Sequence, residues 1–90
     1  MRKTHTLKTY PEYFQATWDG MKNFEYRKND RDFEVEDVII LREFDKENGY
    51  TRRAITARVD YIIYGGVFNN VGLPSGYCIM GIEPFEFIST

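Results

Sequence analysis

The sequence predicts an α+β domain, with one main helix on a small curled sheet or barrel of five or six mostly antiparallel strands. Rings in TYPEYFQATWDG recur at helical spacing, most of the remaining chain alternates with a period of two, and polar or glycine-bearing turns separate the alternating runs. At 90 residues, 42% hydrophobic and 17% aromatic, residues 1–90 form a single domain with enough apolar bulk for one core.

The elements follow in order. Residues 4–8, THTLK, are β-compatible and end at a helix-start signal. Thr9 is expected to cap, with Glu12 reaching back in a capping box, and Pro11 suits the first turn because its missing N–H is unpaired there anyway. Gly20 stands just past the helix, where a left-handed residue is needed. Tyr10, Phe14 and Trp18, with Tyr13 and Met21 alongside, make one apolar face that packs on the sheet. From Lys22 the period is two, with Phe24 and Tyr26 turned to the core and Asn23, Glu25 and Arg27 turned away. NDRD is a polar turn.

VEDVIILREFD is the next strand, and DKENGY turns on Gly49, the expected positive-φ residue. Ile55, Ala57, Val59, Tyr61 and Ile63 then alternate with Thr56, Arg58, Asp60, Ile62 and Tyr64, closing a long hairpin. Residues 65–76, GGVFNNVGLPSG, are a loop. YCIMGI is a buried strand, and PFEFIST adds an edge strand after Pro84.

Composition narrows the chemistry. Net charge is −2, without the overall basic character that marks non-specific nucleic-acid binding. The charge is uneven: seven Lys or Arg face four Asp or Glu up to Arg31, and five face ten beyond it. Cys78 is the only cysteine, so no disulfide or thiolate metal site forms within one chain, and its apolar neighbours imply an inert thiol. His5 is the only histidine, which excludes a two-histidine zinc site and reads as structural or exposed. Neither G-x-x-x-x-G-K-[ST] nor G-x-G-x-x-G occurs. Gly65 and Gly66 read as a hinge, with an anion cradle as the alternative. Glu34, Glu36 and Asp37 read as a solvated acidic run, so no metal and no cofactor are expected. No stretch approaches the roughly 20 apolar residues of a membrane span. No apolar signal region follows MRK, so a cytoplasmic protein without a membrane partner is expected.

Residues 22–33, KNFEYRKNDRDF, thread four cations and three carboxylates between three rings. Lys22 shares its parity with the rings, so it must snorkel out or line a cavity beside the helix end. Lys8 has a similar place before the helix, and two converging ammonium groups suit a phosphate or a polarised carbonyl. Glu25 and Arg27, two positions apart, can pair with each other or with one ligand. Ordinary surface ion pairs are the plain alternative.

The segments HTLKTYPEYFQATWDGMKNFEYRKNDRDFEVEDVIILREFD, GYTRRAIT and GYCIMGIEP resemble small bacterial and phage proteins of the ASCH domain group, within the PUA-like superfamily. The nearest likeness is to a subfamily with a K-x-F-E-x-R-x-N-D-R segment followed by an ILREW-type strand. The resemblance implies a small PUA-like β-barrel with the helix packed at its opening, and RNA or a modified nucleoside or nucleotide held in the cleft between them. Lys8, Lys22, Arg27 and Arg31 would supply charge, Glu25 would accept hydrogen bonds from a base edge, and Tyr64 or Phe68 would stack.

A second reading is a small amidohydrolase acting on acylated nucleosides through Lys22, the one catalytic candidate. ASCH enzymes that hydrolyse acetylated cytidine carry G-x-K-T-x-T-x-R, of which Gly20, Lys22 and Arg27 match. Glu25 stands where the catalytic threonine would be, and GGVFNNVGLPSG carries no acid, so that catalytic set is not matched. A protein-interaction accessory factor of a phage or mobile element, using the acidic half, is the third reading.

Overall fold

Alternate apolar residues on four strands set the architecture. Leu7, the pair Ile39 and Leu41, the set Ile55, Ala57 and Val59, and the set Cys78, Met80 and Ile82 each recur at every second position and are all buried. Strands so patterned lower their free energy by sharing one inner face. In the computed structural model, which describes residues 2–66 and 72–90, they do so as one curled, half-barrel sheet with one short helix. The elements are β1 (Thr4–Thr9), α1 (Pro11–Trp18), β2 (Phe24–Lys28), β3 (Val38–Asp45), β4 (Gly49–Tyr64) and β5 (Tyr77–Ser89). The sheet order is β1-β3-β4-β5-β2. Only β1 and β3 run parallel; the other neighbours are antiparallel. Phe14, Phe33 and Ile62 complete the core.

Helix α1 starts differently from expectation. Tyr10 is the N-cap, with extended backbone and no side-chain cap, while Thr9 ends β1 as a buried strand residue. The parallel ladder to β3 runs through Thr9, which removes it from capping. Pro11 does occupy the first turn. The C-terminus is a Schellman motif: Met21 N–H donates to the Ala16 carbonyl and Gly20 N–H to that of Thr17, with Gly20 at φ +78°. Phe14 is buried and Trp18 packs against the core, but Tyr10, Tyr13 and Met21 are exposed, so the apolar face is narrower than the spacing implies.

Strand β2 inverts the expected parity. Glu25 is buried, whereas Phe24 and Tyr26 are 48% and 54% exposed. The partner strand decides this: Glu25 lies opposite Met80 and Arg27 opposite Cys78, and both β5 residues are fully buried. Register follows the more apolar strand. In β4 the alternation holds to Val59. A bulge there sets both Asp60 and Tyr61 against Gly81, so Ile62 is buried while Tyr61 and Ile63 are exposed. Residues 84–90 do not form a separate edge strand: β5 runs through Pro84, which sits at the register shift between Thr56 and Ala57, where no ladder N–H is required.

The two outer strands of the sheet, β1 and β2, are joined by side chains. Arg27 Nη2 donates to the Lys8 carbonyl at 3.1 Å and Arg31 Nη1 to the Thr6 carbonyl at 2.8 Å. These are carbonyls of an otherwise open edge, which the guanidinium groups cover.

Asp37 is fully buried, contrary to its reading as part of a solvated run. It accepts from the Lys3 and Glu34 amides and shares a 2.9 Å hydrogen bond with His5 Nε2, tying β1 to the turn before β3. Gly65 and Gly66 donate their N–H groups to the Tyr77 and Leu73 carbonyls, which occupies the donors an anion cradle would use. A Cβ on Gly65 would stand 1.8 Å from the Pro74 carbonyl oxygen. Gly65→Ala is therefore expected to lower stability by about 1–3 kcal/mol in urea denaturation, the usual cost of overpacking where a loop can partly yield.

Among the described residues, no helix is long and apolar enough to cross a membrane, and no cluster of three or more His, Cys, Asp or Glu could hold a metal ion. Cys78 is fully buried, and burial pushes its thiol pKa up.

Candidate ligand-binding cleft

Because α1 ends in a tight left-handed turn and β2 begins four residues later, the chain folds back beside the end of β1. The space between is a cleft of about 710 Å³, lined by Lys8, Thr9, Tyr10 and Tyr13 on one side and by Met21, Lys22, Phe24, Glu25, Tyr26 and Arg27 on the other. Four of these ten residues are aromatic and four are charged, so apolar walls carry a few convergent polar groups, as in sites for small ligands.

The polar groups converge on Glu25. Lys22 Nζ donates to Glu25 Oε2 at 2.6 Å and to the Phe24 carbonyl at 2.6 Å. Arg27 Nε donates to Glu25 Oε1 at 2.9 Å, and its Nη2 reaches the Thr9 hydroxyl at 3.2 Å as well as the Lys8 carbonyl. Each carboxylate oxygen thus holds one cation. A buried carboxylate is tolerable only with such partners, and here it also fixes two long side chains in one geometry. Its expected role at a base edge gives way to that of counter-ion.

Lys8 lies over the Phe44 ring at 4.5 Å and makes no ion pair among the described residues. Lys8 is among the residues that line the cleft, while its ammonium rests on Phe44, which is not. Lys22 also sits 4.9 Å from the centre of the Phe24 ring. Four of the five residues expected at the site, Lys8, Lys22, Glu25 and Arg27, therefore share the cleft. Arg31 does not: it covers the β1 edge at Thr6. Tyr64 is not a cleft residue either, since its hydroxyl donates to the Phe33 carbonyl at 2.8 Å, and burial raises its pKa. Phe68, and residues 67–71 of the expected loop, lie outside the described residues.

A neighbouring cluster lies outside the expected site. Arg53 Nε and Nη2 grip Glu43 at 2.9 and 3.0 Å, Nη2 also reaches Gln15 Oε1 at 2.7 Å, and the guanidinium lies 5.0 Å from the Phe14 ring and 4.8 Å from that of Trp18. The Arg53 hydrogen bonds hold the Glu43 pKa low against the opposing effect of burial, with Thr51 adding another donor. This pair seats α1 on the sheet. The signal was present in the sequence: Glu43 continues the inward parity of Ile39 and Leu41. Tyr10, Tyr13 and Met21 were legible as an apolar face, and the structure makes that face the cleft wall.

The family model described as a domain of unknown function (DUF3850) matches residues 4–82, a span that contains the whole cleft. An uncharacterised 12.9 kDa protein in the GpA 3' region of Escherichia phage P2 is 37% identical over 59 residues, covering 66% of this chain and 53% of the relative. The chain thus spans about half the length of the curated relative it matches. With the family model extending over most of its length, the chain belongs to the DUF3850 family.

Proposed function

We propose that the chain is a PUA-like domain that binds RNA or a nucleotide-like ligand in the cleft between α1 and β2. The observation that carries this is the convergence of Lys8, Lys22 and Arg27 on one aromatic-walled cleft of about 710 Å³. Rings suit a base, and ammonium and guanidinium groups suit a phosphate. The charge asymmetry fits: the basic part of the chain, up to Arg31, supplies all the cleft's cations. Lys22 as a reactive amine has less support, because two of the three donor positions of its nitrogen are taken by Glu25 and the Phe24 carbonyl, which suits holding a ligand with the third more than attacking one.

Lys22→Ala and Arg27→Ala are each expected to weaken binding of labelled RNA or a nucleotide about tenfold, the loss of one charge-assisted hydrogen bond. Binding should also weaken with salt, and the slope against log salt should fall by about one for each phosphate contact removed. Fluorescence anisotropy at several salt concentrations measures both. If wild type binds no RNA and no nucleotide, the reading is lost. Release of acyl groups from acylated nucleosides above a Lys22→Ala control would favour the amidohydrolase instead.

A further inference from the structure

The aromatic lining does not stop at the cleft rim. Phe24 and Tyr26 line the cleft, and they also stand on the outer face of the sheet. Across that face Phe24 lies opposite Gly81, which lies opposite Tyr61, while Tyr26 packs on Tyr77 with ring centres 5.7 Å apart. Tyr61 is 67% exposed, and Tyr77 is exposed too. Only the bulge at Asp60 puts Tyr61 on this face, because strict alternation from Val59 would turn it inward. Gly81 itself contributes no side chain between Phe24 and Tyr61, which stand two strand spacings apart, about 10 Å. The Asp60 carboxylate reaches over Gly81 into that space, which puts a hydrogen-bond acceptor between the two rings.

We infer that the ligand is single-stranded nucleic acid several nucleotides long, running from the cleft over β2, β5 and β4 with bases stacked on Phe24, Tyr26, Tyr77 and Tyr61. The inference rests on the cleft reading above and adds length to the ligand. Charge favours nucleic acid over an apolar protein surface. Lys22 stands by Phe24, and Lys28, opposite Tyr77, is exposed with no ion pair among the described residues. Asp60, over Gly81, puts a carboxylate in the middle of the track, where it can accept hydrogen bonds from amino groups of bases. A sheet face with spaced rings is a known way to stack successive bases.

Fluorescein-labelled twelve-nucleotide oligouridine and oligothymidine test this by anisotropy, with UMP and unlabelled oligouridines of two, four and eight nucleotides as competitors. The eight-mer is expected to compete at least about tenfold better than UMP. Tyr61→Ala and Tyr77→Ala, both at exposed sites, should each weaken twelve-mer binding about fivefold or more while leaving UMP competition unchanged. Preference for one sugar assigns RNA or DNA, equal affinity assigns either, and the track stands in both cases. Equal competition by UMP and the eight-mer, with binding still dependent on Lys22, overturns the track and leaves the cleft reading intact. Absence of binding by any probe removes both. If the tyrosine variants bind the twelve-mer as wild type does but convert a dimer to a monomer in sedimentation, the face is a self-association surface and the inference fails.

Discussion

Asp37→Asn is expected to lower stability by about 3–5 kcal/mol at neutral pH, among the largest effects of any polar substitution in this chain. The carboxylate is fully buried and every neighbour is a donor: the Lys3 amide on Oδ1, and the Glu34 amide with His5 Nε2 on Oδ2. Asparagine must turn an NH2 group toward one of these sets. At least one buried donor then faces another donor, and the links from β1 to the turn before β3 are lost together. The pH dependence identifies the cause. Burial pushes the Asp37 pKa up, but hydrogen bonds from His5 and from the Lys3 and Glu34 amides outweigh it, leaving the folded value below that of a free aspartate. A depressed folded pKa contributes stability that is complete above the unfolded value and lost as pH falls through the folded one. Urea denaturation at pH 7, 5, 4 and 3 should therefore show the gap between wild type and variant holding down to about pH 5 and narrowing in the acid range. A gap that stays constant across the series would attribute the loss to packing. Glu43, whose pKa is also lowered, adds acid sensitivity to both proteins and cancels in the difference.

The sequence makes the element list legible because the signals for it are local. Gly20 and Gly49 do take positive φ, Pro11 opens the helix, and the turn between β3 and β4 is where polar residues and glycine place it. Side-chain direction is less local. Phe24 and Tyr26 are more hydrophobic than Glu25, and within β2 alone they belong inside. They are displaced because β5 contributes Cys78 and Met80 to the same layer, and pairing turns Glu25 and Arg27 in with them. Tyr61 shows the same limit: one extra residue opposite Gly81 reverses everything after it, and no periodicity reveals a bulge beforehand. Lys22 and Lys8 were legible at the site because both flank the helix in sequence. Arg31 joins them as an expected source of charge for the ligand, and the fold carries it to the β1 edge instead. The inward carboxylates Glu25, Asp37 and Glu43 are each paired with cations or other donors from distant segments or across a strand parity that sequence order hides.

Glu25→Ala is expected to destabilise the fold by about 2–4 kcal/mol, because Lys22 and Arg27 lose their shared counter-ion. The figure lies below the full cost of an unpaired buried charge, since both cations keep part of their surface in water and can turn outward. Breaking one side of an ion pair measures that penalty, however, and not what the pair contributes. Replacing Glu25 together with Arg27 does, with Lys22 left to turn its ammonium to water: Glu25→Leu with Arg27→Met offers Met80 and Cys78 apolar neighbours of similar volume, and such exchanges are often neutral or stabilising. In a double-mutant cycle followed by urea denaturation, the two changes should be non-additive by about 1–3 kcal/mol, with the double variant more stable than Glu25→Ala. Additive losses would mean that Arg27 matters chiefly through its bonds to Lys8 and Thr9 across the open edge. The double variant should meanwhile bind no nucleotide or RNA that wild type binds. A fold that stands without the Glu25–Arg27 pair and a cleft that fails without it would place the advantage of burying Glu25 in holding cations toward a ligand, which an apolar strand cannot do.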